Sequence, residues 1–163
     1  MIYHINEAYA SIQGEGTLAG IPMIILRTQG CSVSCPFCDT RQTWALSDDA
    51  FTGDWADALA HPAKWTDREG HAIARSLRDQ FPGEINWVLL TGGEPAEQPL
   101  APLSRALHDR GYSIALETSG TALGHVGAEI DWVCVSPKVN MPGGLAVLPA
   151  RIYCNGRPSR TLR

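Results

Sequence analysis

Three of the chain's five cysteines stand within eight residues, and this cluster constrains the protein more than any other feature of its sequence. Cys31, Cys35 and Cys38 follow an apolar run that is typical of a buried strand. An odd number of cysteines makes a poor disulfide framework, and crowding on one short loop indicates metal or redox chemistry. Cys134 and Cys154 each lie alone within an apolar run, so we expect them to be small hydrophobic filler.

The composition predicts one globular domain over residues 1–163. The chain is 44% hydrophobic and 18% charged, and its length buries a sizeable core without disulfides. Its formal net charge of -4 argues against general nucleic-acid binding, because phosphate backbones are held by clustered Lys and Arg. No apolar run approaches the roughly 20 residues of a membrane-spanning helix, and no secretory signal is visible. We therefore expect a cytoplasmic protein without membrane or nucleic-acid partners.

Apolar runs rich in Ile, Val, Leu and aromatic residues predict the strands. The four clear runs and one weaker run span residues 22–27, 87–90, 112–116, 132–135 and, as the weaker one, 151–154. Helical segments between them predict an α/β fold with a parallel sheet, in which ligands gather at the carboxyl ends of strands.

Three helices are predicted between these strands. The segment 66–80 opens with Thr66 and Glu69 at capping-box spacing, and 99–110 places its leucines on one face before a glycine cap. A shorter helix is expected from about Asp54.

The cysteine spacing, C-x3-C-x2-C, suits an iron–sulfur cluster with one open iron. Three thiolates on a short loop can wrap around one face of a [4Fe-4S] cube. S-adenosylmethionine (SAM) can chelate the fourth iron through its amino and carboxylate groups and be cleaved by one electron from the cluster. A structural zinc site and ordinary buried cysteines are the alternatives. Zinc usually takes four ligands in a structural site, and no Cys or His pair lies nearby at finger spacing.

Polar residues follow three of the predicted strands. The sequence TGGEP at 91–95 joins glycines, which let the backbone approach a ligand, to Glu94, whose carboxylate can accept bonds from an ammonium group. The sequences ETSG at 117–120 and SPK at 136–138 add hydroxyls and an amine suited to a ribose or a carboxylate. Each would be an ordinary polar turn if it stood alone, but their position after the cysteine loop favours a SAM site.

These motifs resemble those of the 7-carboxy-7-deazaguanine synthases, a radical SAM family of queuosine and deazapurine biosynthesis. Beyond the cysteines and TGGEP, the resemblance rests on SIQGEG at 11–16, GIP at 20–22, RTQGC at 27–31 and CDT at 38–40. It implies a partial (β/α)6 radical SAM barrel with reduced helices, a homodimer, and a reductase or flavodoxin-type electron donor. Family members continue beyond the SPK strand, so we expect this single domain to be shortened at its carboxyl end.

The resemblance also implies a role for each matching residue. The cluster would bind Cys31, Cys35 and Cys38, and Thr40 would help to bind Mg2+, although an ordinary turn hydroxyl is the alternative. SAM would contact Phe37, Cys38, Asp39, Gly93, Glu94, Ser119, Ser136, Pro137 and Lys138. The pterin substrate would contact Ile12, Gln13, Gly14, Glu15, Arg27 and Thr91.

Arg27 is expected to pair bidentately with the substrate carboxylate, and a surface ion pair at a strand end is its alternative role. The implied reaction begins when a 5′-deoxyadenosyl radical removes hydrogen from 6-carboxy-5,6,7,8-tetrahydropterin. Ring contraction and loss of ammonia then give 7-carboxy-7-deazaguanine. No general base stands out, so no residue is assigned a catalytic role. Two other functions stay open, namely another radical SAM enzyme such as a glycyl-radical activase, and a shortened metal-binding module without catalysis.

Overall fold

The computed structural model describes residues 1–122, 126–127 and 129–146, together with the backbone of 153–154 and 157–158. Among the residues described, no helix has the length and apolar character needed to cross a membrane.

A six-stranded mixed sheet forms the centre of the fold. In chain order its strands are β1 (Ile2–Ile12), β2 (Pro22–Thr28), β3 (Thr66–Glu69), β4 (Trp87–Gly92), β5 (Ser113–Thr118) and β6 (Trp132–Val135). Their order across the sheet is β3-β1-β2-β4-β5-β6. Neighbours from β2 to β6 pair in parallel, whereas β1 runs antiparallel to both β2 and β3. Over the described residues the sheet does not close on itself, which agrees with a partial barrel.

In the described part of the chain, three α-helices accompany the sheet and a short strand pair lies outside it. The helices are α1 (Trp55–Ala60), α2 (Gly70–Gln80) and α3 (Leu100–His108). The pair consists of β7 (Tyr153–Cys154) and β8 (Arg157–Pro158), which run antiparallel. The weak strand prediction at 151–154 is therefore met only at its last two residues, and residues 151 and 152 lie outside the described part of the chain.

The four clear strand predictions are confirmed as β2, β4, β5 and β6, and two of the helices are also confirmed. The carboxylate of Asp54 caps α1 by accepting a hydrogen bond from the backbone N–H of Asp57 at 2.8 Å. The helix predicted at 99–110 is α3, whose leucines are fully buried, and it is followed by Gly111 with a φ of +78°. This left-handed conformation is the one that glycine adopts without steric cost.

The capping box predicted at the start of α2 is wrong. Thr66–Glu69 forms β3, which pairs antiparallel with β1 and buries Thr66 within the sheet. The helix begins only at Gly70, where Glu69 is the N-cap and accepts a bond from the N–H of Ala72 at 3.1 Å. A β-branched residue that fits a half-buried pleated surface gains more from the cross-strand partner than from a cap.

The sequence patterns do not predict β1, because its alternation is interrupted. Its pairing with β2 shifts register between Ile5 and Glu7, so Asn6 is an extra residue, or β-bulge. A bulge changes which face every later side chain points to, and a simple period of two then fails.

The two faces of the sheet are packed differently. The main core fills the side covered by α2 and α3, and its strand residues include Ile24, Leu26, Val88, Leu90, Ile114 and Leu116. The opposite side carries a small cluster of Met23, Ile25, Leu89 and Ala115. Side chains alternate along each strand, so this second face continues toward the carboxyl ends as the wall of a cavity.

Candidate functional site

A cavity of about 720 Å³ lies at the carboxyl ends of the parallel strands. This is the end at which open α/β sheets bind their ligands. Its lining contains every residue that the sequence analysis assigned to the cluster, SAM, Mg2+ or substrate, with the exception of Pro137. The fold therefore brings together, in one concave site, residues that are spread over more than 120 positions of the sequence.

The cysteine loop forms one wall of this cavity. Cys35 is buried, whereas Cys31 and Cys38 are half-buried. The loop is tied down at its start, where the N–H of Gly30 donates to the carbonyl of Thr43 at 2.7 Å. The N–H of Cys38 donates to the carbonyl of Cys35 at 3.0 Å, so a tight turn holds the last two thiols near each other.

The three thiols have different electrostatic surroundings. Burial raises the pKa of Cys31 and of Cys35. Burial acts in the same direction on Cys38, but hydrogen bonds from Thr40 and Trp44 outweigh it and leave the pKa of Cys38 lowered. The Cys38 Sγ atom lies 3.6 Å from the Thr40 Oγ1 atom. Because the thiolate is the form that binds metal, Cys38 is the thiol best prepared to do so.

The donor set fits an iron–sulfur cluster better than a single zinc ion. A zinc ion holds its thiolates about 2.3 Å from one centre, whereas the cysteines of a cuboidal cluster bind different irons. Three thiols spread along a loop at a cavity wall match the second arrangement.

Glu94 is a buried carboxylate at the centre of the site, and its side chain is 2% exposed. Its Oε1 atom accepts bonds from the hydroxyl of Thr118 at 2.5 Å and the N–H of Ala96 at 3.1 Å. Its Oε2 atom accepts from both the N–H and the hydroxyl of Ser119, the former at 2.7 Å. These four donors occupy the roughly four lone-pair sites of a carboxylate, so the position of the group is well determined.

Gly93 explains why TGGEP needs its second glycine. A Cβ atom on this residue would lie 2.1 Å from the carbonyl oxygen of Gly30. In the glycine form the two backbones touch, and the N–H of Glu94 donates to that same Gly30 oxygen at 2.8 Å. The loop that carries the buried carboxylate therefore packs directly on the residue before the first cysteine.

Arg27 on β2, Thr91 on β4 and Glu117 on β5 form a polar row across the cavity face of the sheet. Arg27 stands opposite Thr91 in the parallel register, and the hydroxyl of Thr91 donates to Glu117 Oε2 at 3.2 Å. The side-chain amide of Gln13 donates to the other oxygen of Glu117 at 2.9 Å. The backbone N–H of Glu15 in turn donates to Gln13 Oε1 at 3.1 Å. Glu117 therefore joins Thr91, Gln13 and Glu15 into one hydrogen-bond network.

Glu117 was not among the residues assigned from the sequence. It opens the ETSG motif, and its signal was its position at the end of an apolar run, on the same face as Ala115. The other unassigned side chains that line the cavity include Tyr9, Ser11, Trp44, Thr118 and Cys134.

Arg27 forms an ion pair, but a largely buried one and not the surface pair that was its alternative role. Its Nε atom donates to Glu7 Oε1 at 2.6 Å, and its Nη2 atom donates to the hydroxyl of Tyr9 at 3.3 Å. Burial by itself would lower the pKa of Arg27, but the bonds with Glu7 and Tyr9 outweigh it and raise that pKa. The pair is not on the outer surface, because both side chains are largely buried and Arg27 lines the cavity.

The SPK segment completes the wall beside the cysteines. Lys138 Nζ donates to Ser136 Oγ at 2.6 Å and lies 5.8 Å from the ring centroid of Phe37, within cation–π range. The chain then folds back, and the N–H of Gly143 donates to the carbonyl of Val33 in the cysteine loop at 3.0 Å. Residues on both sides of the cavity thus support the loop.

Known proteins resemble this chain over most of its length. No protein-family model matches the chain. The 7-carboxy-7-deazaguanine synthase of Escherichia coli (strain K12) is 38% identical over 151 residues, which are 91% of this chain and 66% of that protein. The enzyme of the same name from Synechocystis sp. is 32% identical over 136 residues, covering 83% of this chain and 55% of that protein.

A crystal structure of QueE from Escherichia coli has the same fold. It superimposes with a TM-score of 0.81 at 38% identity and covers 88% of this chain and 63% of that chain. The chain thus spans between 55% and 66% of the length of these relatives. Sequence and fold agree over that span, and the chain belongs to the 7-carboxy-7-deazaguanine synthase family of radical SAM enzymes.

Proposed function

We propose that this chain is a carbon–nitrogen lyase that converts 6-carboxy-5,6,7,8-tetrahydropterin to 7-carboxy-7-deazaguanine with loss of ammonia. The proposal is carried by the observation that three thiols, a buried carboxylate and the polar row around Arg27 line the same cavity. The kinship with 7-carboxy-7-deazaguanine synthases supports it. The product would enter queuosine or another deazapurine pathway in the cytoplasm.

Cys31, Cys35 and Cys38 would hold a [4Fe-4S] cluster with one open iron. A cluster held there together with SAM would supply the radical chemistry that removes a hydrogen atom from the substrate. The part of the protein is to hold the substrate carbon close to this radical and to keep water out of the cavity.

Glu94 would receive the ammonium group of SAM. Its lone pairs are already used by internal donors, so an incoming ammonium must replace one of them. The Ser119 hydroxyl is suited to turn away, because Thr121 Oγ1 lies 2.8 Å from it as a second partner. Phe37, Asp39 and the residues of the SPK segment would enclose the rest of SAM.

The polar row would hold the substrate. Arg27 carries a planar guanidinium that matches a carboxylate, while Thr91 and Gln13 offer hydrogen bonds to the pterin ring. Ile25 and Leu89 line the same cavity and supply apolar surface for a flat heterocycle. Ile12 at the end of β1, with Gly14 and Glu15 in the loop that follows, would close the pocket.

Thr40 would be a ligand of Mg2+ beside the substrate. Its hydroxyl lies at the cavity next to Cys38, and oxygen is the donor that Mg2+ prefers. A flavodoxin-type protein or a reductase would deliver the electron, and the enzyme would act as a homodimer.

The direct test is anaerobic reconstitution with iron and sulfide, followed by SAM, dithionite, Mg2+ and 6-carboxytetrahydropterin. Mass spectrometry should detect 5′-deoxyadenosine and 7-carboxy-7-deazaguanine. A cluster that cleaves SAM without forming this product would overturn the substrate assignment but leave a radical SAM enzyme. Failure to form any cluster, or a preference for zinc, would overturn the cofactor assignment.

A matched pair of cysteine variants sharpens this test. Cys38→Ala removes a proposed cluster ligand, so iron content and the absorbance of the cluster should be lost. Cys134→Ala alters another cysteine that lines the cavity but lies outside the cysteine loop, and the cluster should be kept. Equal iron content in the two variants would contradict the proposed ligand set.

A further inference from the structure

The β-bulge in β1 moves Glu7 to the cavity side of the sheet. Tyr3 and Ile5 belong to the main core, and strict alternation would direct Glu7 to that same side. Ile5 pairs with Thr28 and Glu7 pairs with the next residue of β2, Arg27, so Asn6 is an extra residue without a partner position on β2. After the bulge the core residue is Ala8, so Glu7 points to the other face and stands opposite Arg27.

The bulge is held by its own contacts. Asn6 is fully buried, and its side-chain amide donates to the carbonyls of Pro62 at 2.9 Å and Lys64 at 2.7 Å. These bonds tie the extra residue to the segment between α1 and β3. The orientation of Glu7 is thus determined by a buried anchor outside the cavity.

Glu7 in turn holds the guanidinium of Arg27. The Nε–Oε1 distance is 2.6 Å, and the two side chains are only 16% and 18% exposed, so solvent screens this pair less than a surface ion pair. The bonds to Glu7 and to the hydroxyl of Tyr9 use two of the five N–H donors of the guanidinium. Three donors remain for a ligand.

We infer that Glu7 is a positioning residue, brought to the site by the bulge at Asn6, which presets Arg27 to bind the carboxylate of a small ligand. The inference rests on the proposed function for the identity of that ligand. Without Glu7, the Arg27 side chain would lose its rotational freedom when the ligand binds, which costs binding free energy. The bond to Glu7 restricts the side chain beforehand. Glu7 engages Nε and Tyr9 engages one N–H of Nη2, so both N–H donors of Nη1 and the second of Nη2 face the ligand carboxylate.

The test compares two ligands, 6-carboxypterin and pterin, that differ in the carboxylate. Fluorescence titration gives the ratio of their affinities for the wild type, Glu7→Ala and Glu7→Gln. Glu7→Ala should lower the preference for 6-carboxypterin about tenfold, because the guanidinium loses its fixed orientation. Glu7→Gln keeps an acceptor for Nε and should keep the preference within about threefold. In turnover assays, KM for 6-carboxytetrahydropterin should rise in Glu7→Ala while kcat changes little.

The control is a second Glu–Arg pair outside the cavity. Glu129 accepts from Arg105 at 2.8 Å, and the arginine side chain is 58% exposed. Glu129→Ala should leave the ratio of the two affinities unchanged. If Glu7→Ala binds 6-carboxypterin as tightly as the wild type, or more tightly, Glu7 is a spectator or a competitor and the inference is overturned.

A ligand-free measurement separates this inference from the proposed function. The Nε–H signal of Arg27 in a 15N NMR spectrum, assigned by its loss in Arg27→Lys, should exchange slowly with solvent in the wild type and in Glu7→Gln. It should exchange rapidly in Glu7→Ala. If neither pterin binds but this difference is found, the substrate assignment fails and the positioning role stands. If the signal is unaffected in Glu7→Ala, the positioning role fails whatever the ligand.

Discussion

Leu90 and Thr91 are neighbours on β4, yet their side chains serve opposite faces of one sheet. Leu90 is fully buried in the core under α2 and α3, whereas Thr91 lines the cavity and donates to Glu117. The same division separates Leu26 from Arg27 on β2. Because side chains alternate along a strand, one set of backbone hydrogen bonds supports both faces. The comparison teaches that alternate residues of the same strands build the stabilising core and line the cavity.

The largest expected effect is on the free energy of unfolding, which should differ between a variant on the core face and one on the cavity face. Leu90→Ala removes a fully buried side chain and should lower the free energy of unfolding by about 2–5 kcal/mol. Thr91→Ala removes one hydrogen bond at the cavity and should cost about 0.5–1.5 kcal/mol. Urea unfolding of both variants measures the difference. Equal losses would break the comparison between the faces.

Gly93 tests the point at which the carboxylate loop meets the cysteine loop. Gly93→Ala introduces a Cβ atom 2.1 Å from the oxygen of Gly30, and backbone on both sides must shift, at a cost of about 1–3 kcal/mol. Because that shift displaces the cysteine loop, iron content after reconstitution should also fall. Gly14→Ala is the control, since its Cβ would meet nothing within 4 Å and both quantities should change little. A Gly93→Ala protein with wild-type stability and iron content would show that the contact is not needed.

Glu117 sharpens the comparison on the cavity side. Glu117→Ala removes the acceptor of Thr91 and of Gln13, and we expect a loss of about 1 kcal/mol because water can reach the freed donors. The loop after β1 should loosen, so the amide of Gly20, which donates to the carbonyl of Gln13 at 2.8 Å, should exchange hydrogen faster. The exposed Glu84→Ala serves as a reference for loss of one carboxylate. Unchanged exchange at Gly20 would mean that Gln13 is held by other contacts.

The smallest expected effect is on the pH dependence of stability, and it concerns the carboxylate of Asp57, which lies on neither face of the sheet. The pKa of Asp57 is lowered to about 2, chiefly by the bond from Lys64 and then by the bond from Thr52. A folded-state pKa below the ordinary 3.8 means that Asp57 stabilises the fold above about pH 4 and that this contribution fades as the pH falls toward 2. Asp57→Asn should therefore weaken the dependence of stability on pH in that window, measured by thermal unfolding. Asp48→Asn, at an exposed site, is the matched change, and an equal effect there would contradict the prediction for Asp57.

Local patterns predicted much of the site, because its motifs are short and lie directly after apolar runs. The cysteine loop, TGGEP and the SPK segment could each be located from a few adjacent residues, and all three line the cavity. The helix α3 was equally local, since its leucines recur at helical spacing. Features that depend on pairing between distant segments were missed. Thr66 is an example. It was predicted to begin a helix, but pairing with β1, more than 50 residues away in the sequence, makes it part of β3.

The sequence by itself determined the class of fold, the cysteine loop and the order of the polar motifs at the strand ends. Only the tertiary structure decided that Asn6 is an extra residue, that Glu7 consequently faces Arg27, and that Glu117 joins the site. The physical reason is that a strand's side chains change faces with each residue, so one bulge reverses their assignment. That bulge is set by pairing with β2 and by bonds from Asn6 to residues more than 50 positions away, which no local pattern contains.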